Sequence, residues 1–262
     1  MITILFLADI VGEAGRKVAT QTAELYLARG EADMVIANGE NSAGGHGITP
    51  KIAIDLMRSG IAVITTGNHI WNKKEIIPYF ETEPRLLRPL NYPEGTPGSG
   101  SVILESDKGP VAILNLQGLS FINGMLDNPF LAAKKEVERL REITPIIFVD
   151  MHAETTSEKM AMGHFLDGSV SAVIGTHTHV PTGDEQILPQ GTAFLCDAGM
   201  CGPRNSILGC DISSVLQQFT SAVPRRLPLA DGPARAQGVL VKIDEESGKS
   251  LSIKRISEEY GE

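Results

Sequence analysis

Apolar positions along this chain fall into two rhythms. Short runs rich in β-branched residues, MITILFLAD, DMVIANGEN, IAVITTGNH, PIIFVDMH and AVIGTHTH, recur between longer stretches with helical spacing. Runs that are apolar on both faces and bounded by Gly predict buried parallel strands. Residues 2–9 read as the first strand, and GEAGRKVATQTAELYLARG as a helix with Gly at both ends. Residues 33–38 give a second strand, followed by the glycine-rich loop NSAGGHGIT. Pro50 opens a helix, PKIAIDLMRSG, because proline suits a first helical position. Residues 61–66 form a third strand, and the β-α-β-α-β order implies parallel strands joined by right-handed crossovers.

The pattern then becomes mixed. A short helix is expected over 73–80, then a Pro/Gly-rich loop, then an antiparallel pair, 101–105 and 111–116, across SDKGP. An amphipathic helix over 129–142 leads into the strand PIIFVD, a helix over 155–166 and the strand SAVIGT. TAFLC at 192–196 is a further strand, and GVLVKID and SLSIKRI form a closing hairpin across EESGK. The segment PRRLPLADGPARA before that hairpin reads as irregular. No internal repeat or linker divides the chain. The expectation is an α/β protein with two mixed β-sheets packed face to face and flanked by helices, in one domain over 1–262.

Each of the five runs ends in a residue able to bind a metal. The endings are Asp9, then Glu40 and Asn41, then Asn68 and His69, then His152, then His177 and His179. Ligands of open α/β sheets bind beyond the carboxyl ends of the strands, so these distant positions can converge. Two carboxylates, two amides and four imidazoles suit two metal ions better than one. A carboxylate can bridge two cations about 3.5–4 Å apart. In H-T-H at a strand end, alternate side chains share a face, so His177 and His179 can each reach a different ion. Two divalent ions facing two carboxylates leave a net charge of about +2, which attracts a phosphoryl group. The mixed N/O set favours Fe, Mn or Zn over Mg or Ca.

Composition narrows the partners. The 262 residues carry a net charge of −9, with 5% aromatics and one Trp. An acidic chain without long Lys/Arg runs repels extended nucleic acid, although a small phosphate ester can still bind at a local positive site. No apolar run reaches the roughly 20 residues a spanning helix needs, and the N-terminus does not read as a signal peptide. The three Cys at C-x4-C-x8-C match no zinc knuckle and read as reduced thiols in a cytoplasmic protein outside the membrane. No G-x-x-x-x-G-K-[ST] loop, full G-x-G-x-x-G turn or G-x-S-x-G elbow is present, which argues against a P-loop NTPase, a dinucleotide enzyme and a serine hydrolase.

The ordered strings D9…G39-E40-N41…G67-N68-H69…H152…G175-T176-H177-T178-H179 resemble the calcineurin-like metallophosphoesterase pattern. Val11 stands where that pattern has a His, and Glu40 where it has the bridging Asp. With NGENSAGGHGIT, TTGNHIW, HAETTSEK, GTHTHVPT and GMCGPRNSILG, these departures are similar to the YmdB-like bacterial branch, across essentially the whole chain.

The resemblance implies a fold and a site. The fold is the metallophosphoesterase sandwich. One ion takes Asp9, Glu40, Asn41 and His179, the other Glu40, Asn68, His152 and His177, with Glu40 bridging. The ions are divalent, iron first, with manganese or zinc as alternatives. A hydroxide between them attacks phosphorus, and His69, not a ligand, stabilises or protonates the leaving alkoxide. The implied activity is a phosphodiesterase on small diesters, with 2′,3′- or 3′,5′-cyclic nucleotides foremost. The alternatives are a phosphomonoesterase with the same core and a non-enzymatic sensor of nucleotide or metal.

Several further residues are less specific. His46 in GGHG is a candidate substrate contact or a solvated loop residue. Asp150 and Glu154 flank His152 and are candidates to orient an imidazole or to cap a helix. His164 reads as structural. Arg204, Arg225, Arg226 and Arg235 could bind phosphate, form a contact in a homo-oligomer, or simply be solvated.

Overall fold

The computed structural model describes residues 1–122 and 124–260. Its strands are β1 (Ile2–Leu7), β2 (Asp9–Ile10), β3 (Met34–Asn38), β4 (Ile61–Thr65), β5 (Ser101–Leu104), β6 (Val111–Gln117) and β7 (Ile147–His152). They continue with β8 (Ala172–Thr176), β9 (Gln186–Ile187), β10 (Ala193–Leu195), β11 (Met200–Pro203), β12 (Ala234–Ile243) and β13 (Ser250–Tyr260). The α-helices are α1 (Gly12–Ala28), α2 (Pro50–Arg58), α3 (Pro129–Arg141), α4 (Thr156–Leu166) and α5 (Ile212–Ser221).

Two mixed sheets result. The first runs β2-β11-β12-β1-β3-β4, with β13 paired to β12. The second runs β5-β6-β7-β8-β10-β9. β1, β3 and β4 are parallel, as are β6, β7, β8 and β10. β12 lies antiparallel to β1 and sits centrally in the first sheet.

Strand alternation explains the layers. Ile2, Ile4, Phe6 and Ala8 point into the space between the sheets, where they meet Val111, Ile113, Phe148 and Ile174. The Phe6 and Phe148 rings sit 5.4 Å apart in that core. Leu5 and Leu7 face the other way, onto Val18, Ala19 and Ala23 of α1. Leu114, Leu116, Val149 and Met151 cover the far side of the second sheet against α3 and α4. The strands are thus buried on both faces, which is why their sequences are apolar throughout and not alternating.

Side-chain caps start most helices. Thr49, Asn128, Thr155 and Asp211 each accept a backbone N–H of the first turn of α2, α3, α4 and α5. The helix expected over 73–80 is instead two 3₁₀ stretches, Ile70–Asn72 and Lys74–Glu81. Pro78 lies inside the second and cannot donate the hydrogen bond an α-helix needs there. α5 falls where the sequence pattern assigns no element, and β12 and β13 extend well beyond the apolar core of their hairpin. Among the described residues, no helix is long and apolar enough to cross a membrane.

Candidate metal centre

The carboxyl ends of strands from both sheets meet at one edge of the sandwich. Asp9 opens β2 just past the end of β1, Glu40 and Asn41 follow β3, Asn68 and His69 follow β4, His152 ends β7, and His177 and His179 follow β8. Every ligand position expected from the sequence arrives at this edge.

Three potential ligand atoms surround His152 Nε2. It lies 3.1 Å from Glu40 Oε1, 3.0 Å from Asn68 Oδ1 and 3.1 Å from His177 Nδ1. Beside this group, His179 Nε2 sits 3.2 Å from Asn41 Nδ2 and 3.8 Å from Asp9 Oδ1. Glu40 touches both groups, because Oε1 also accepts from Asn41 Nδ2 at 3.0 Å. Its Oε2 accepts the His69 backbone N–H at 3.3 Å. Gly67 makes this closeness possible, since a methyl group there would overlap the His152 ring and Glu40 Oε2.

The outward nitrogen of each imidazole is held by an acceptor. Thr176 Oγ1 donates to Asp150 Oδ1 at 2.7 Å, and a hydroxyl has one proton to give. It must therefore accept from His152 Nδ1, 2.9 Å away. His177 Nε2 faces Glu154 Oε2 at 3.0 Å, and His179 Nδ1 faces the Leu208 carbonyl at 3.2 Å. The other nitrogen of each ring, His152 Nε2, His177 Nδ1 and His179 Nε2, then points a lone pair inward. Asp9 Oδ1, fully buried and without a hydrogen-bond partner, points inward too. Acceptors that converge on acceptors need a positive charge between them. Donors held about 2.0–2.2 Å from a shared ion lie about 3 Å apart at right angles, close to the spacings found here. The residues fit metal.

The titration of these crowded groups is correspondingly abnormal. Burial pushes the Asp9 carboxyl up to about 6, against the pull of His179 and His152. Burial also pushes Glu40 up, but the charge and hydrogen bond of His152 outweigh it and carry Glu40 down to about 2. Burial opposes charge on His152, yet Glu40 wins and raises the imidazole to about 9. A proton on His152 thus takes the cation's place. His177, desolvated and facing that charge, falls to about 3.

The structure revises two expectations. β8 ends at Thr176, so H-T-H is not on a strand. His177 and His179 instead adopt left-handed φ of 98° and 63°, and that backbone turns both rings towards the site. Asp150 does not touch His152 directly but acts through Thr176. Its second oxygen accepts from Asn38 at 2.9 Å and Thr65 at 2.5 Å, tying the two sheets together. Glu154 meets His177 and not its neighbour in sequence. His46 is exposed and stacks its ring 4.7 Å from His69, outside the donor group.

A buried pair supports the H-T-H loop and carries no motif of its own. Asp197 Oδ2 accepts from Lys159 Nζ at 2.8 Å, from the Thr178 hydroxyl at 2.6 Å and from the Thr178 N–H at 3.1 Å. Lys159 and Asp197 are both buried. The signal available in sequence was Thr178, whose hydroxyl and N–H both turn to Asp197. A cleft of about 920 Å³ opens onto the donors, lined by His46, His69, His177 and His179 on one side and the 224–229 segment on the other.

Two mixed sheets with helices outside and a donor cluster at their shared edge define a metallophosphoesterase-type α/β sandwich. A family model described as YmdB-like protein matches residues 5–256, and the chain belongs to that family. It is 44% identical over 253 residues to the 2′,3′-cyclic-nucleotide 2′-phosphodiesterase of Bacillus subtilis, covering 97% of this chain and 96% of the relative. A crystal structure of a novel phosphatase from Mycoplasma pneumoniae superposes with a TM-score of 0.92 at 33% identity, covering 99% of this chain and 94% of the other. A crystal structure of a hypothetical protein from Thermus thermophilus gives 0.91 at 38% identity, covering 98% and 99%.

Proposed function

We propose that this chain is a metal-dependent phosphodiesterase acting on small diesters, with cyclic nucleotides as its substrate class. The observation that carries the reading is the convergence of three oriented imidazole lone pairs on two buried carboxylates. The similarity to a cyclic-nucleotide phosphodiesterase over nearly the whole chain supports the choice of substrate. Asp9, Asn41 and His179 would hold one divalent ion, Asn68, His152 and His177 a second, and Glu40 would touch both. When bound, such ions polarise a phosphoryl oxygen and lower the pKa of water towards neutrality. The N/O donor set favours iron or manganese.

The chain's own groups do the rest. Thr176, Glu154 and the Leu208 carbonyl hold the imidazoles in the tautomer that binds metal. His69 stands at the cleft wall, half-buried, with Asn72 Nδ2 donating to its Nδ1 at 3.3 Å. Its proton is then on Nε2, and we assign that atom the protonation of the leaving alkoxide. Burial pulls the His69 pKa below its ordinary value, against the attraction of Glu40, so the neutral ring is favoured and the imidazolium, when it forms, is the stronger acid. The three free thiols fit a reducing, cytoplasmic setting.

Initial rates on 2′,3′-cyclic nucleotides, with manganese or iron and after chelation, test the reading. Turnover should vanish on chelation and return with metal. Glu40→Ala should lose metal and activity together. His69→Ala should keep its metal and slow by about 10²–10⁴-fold. A monoester hydrolysed faster than any diester would overturn the assignment in favour of a phosphomonoesterase.

A further inference from the structure

The wall of the cleft opposite the donors has its own chemistry. Among the described residues lining it, Glu40 is the only carboxylate, and it is buried at the floor. Arg225 and Arg226 are the only guanidinium or ammonium groups there. Two cationic side chains thus gather on one wall of this cleft in a chain of net charge −9. The two arginines sit on an arm with Pro224 at one end and Pro228 at the other, which restricts its backbone. The arm is tied down where Asp211 N–H donates to the Pro228 carbonyl at 2.9 Å and Ala230 N–H donates to the Gly209 carbonyl at 2.9 Å. Arg225 is held by the Gln217 side chain. Arg226 is exposed and makes no side-chain hydrogen bond or ion pair among the described residues.

Resting on the phosphodiesterase reading, we propose that Arg226, on an arm anchored through Arg225 to Gln217, binds a second anionic group of the substrate. A single phosphate would lie at the donor floor. Two guanidiniums across from a site that gathers cations repel it unless an anion lies between, and a planar guanidinium fork matches phosphate oxygens. The volume of about 920 Å³ is near the top of the range of roughly 300–1,000 Å³ for small-ligand clefts, which leaves room beyond one ester. The substrate class is a nucleoside phosphodiester that carries a further phosphate. That phosphate can be a terminal 5′-phosphate or the next linkage of a short oligonucleotide ending in a cyclic phosphate.

Calorimetric titration of the manganese-loaded full chain at low salt tests this without turnover. The probes are a nucleoside 3′-monophosphate, the matching 3′,5′-bisphosphate, and a dinucleotide with a 3′-terminal phosphate. The bisphosphate, the dinucleotide or both should bind about tenfold tighter than the monophosphate. Which of them gains identifies the source of the second phosphate. Arg226→Ala should bring the advantage to within about twofold, while Arg226→Lys keeps part of it. Arg204→Ala, whose side chain pairs with Glu259 on the surface at 2.8 Å, should leave the ratios alone. Equal affinity for all three probes in the wild type, or an advantage that survives Arg226→Ala, overturns the inference. Absence of diester turnover with the advantage intact overturns the phosphodiesterase reading alone.

Discussion

Replacing Thr176 by Val removes one hydroxyl and little volume, and it isolates the role of the outer nitrogen of His152. The hydroxyl donates to Asp150 Oδ1 at 2.7 Å and accepts from His152 Nδ1 at 2.9 Å, with all three residues fully buried. Each buried polar group left unpaired costs about 1–3 kcal/mol. Asp150 keeps Asn38 and Thr65 on its other oxygen, so the combined cost should lie nearer 2–4 kcal/mol. At about 2–4 °C per kcal/mol for a chain of this size, Tm should fall by about 4–16 °C, and the protein should still fold. The larger effect is on metal. Without Thr176 the imidazole is free to change tautomer and angle, and loss of such a partner typically weakens metal binding by 10–100-fold. Competition with a chromophoric chelator measures this directly. Thr176→Ser retains the hydroxyl and should bind metal within a few-fold of wild type. Wild-type metal affinity in a folded Val variant, or an equal loss in the Ser variant, would refute the claim that the hydroxyl orients His152.

Other perturbations probe the same site differently. Metal uptake should expel protons, because His152 is raised from 6.5 to about 9 and Asp9 from 3.8 to about 6, while Glu40 stays ionised and His177 neutral. The His152 shift stabilises the ion-free fold below pH 6.5, and that contribution is lost as pH rises through about 9. One proton should therefore leave per protein between pH 6 and 9, approaching two below 6. Calorimetry in buffers of different ionisation enthalpy counts them, and zero release at pH 7.5 would contradict the assignment. Gly67→Ala should leave most of the fold intact but disrupt metal binding, since the added methyl meets His152 and Glu40; a fully loaded variant would show that the donors tolerate displacement. Asp197→Asn should lower metal affinity through His177 and His179 and destabilise by about 3–5 kcal/mol by leaving Lys159 without its buried counter-charge. Wild-type melting in that variant would count against a supporting role for the pair.

The donors were readable in sequence because strand ends are marked twice, by the end of an apolar run and by a polar residue that would otherwise be out of place. Asp9, Glu40, Asn68 and His152 all carry that double mark. The supporting groups do not. Glu154 was readable as a carboxylate able to orient an imidazole but not as the partner of His177, and Leu208 offers His179 only its carbonyl, which leaves no trace in residue type. Lys159 sits in a helix whose sequence looks solvated, and only packing on β8 and Asp197 buries it. The left-handed backbone at His177 was also hidden, because strand alternation would bring the same two rings to one face. For α5 a signal existed, Asp211 as cap and Ile212, Leu216 and Phe219 at helical spacing, but those side chains are largely exposed, so the periodicity corresponds to little burial.

The place of β12 bears on how the protein is made. Ile2 pairs with Ile243 and Leu7 with Gly238, so β1, which leads into Asp9, borders a strand synthesised more than 200 residues later. During translation β1 can join β3 early, but its other edge stays open until residue 243 has left the ribosome. An open, apolar central edge is a template for unwanted pairing, and contacts so distant in sequence form slowly. A nascent chain stalled near residue 230 would contain every proposed ligand and yet lack the strand that completes the sheet beneath them. Its behaviour should be that of an aggregation-prone intermediate, with the edge of β1 as the exposed template.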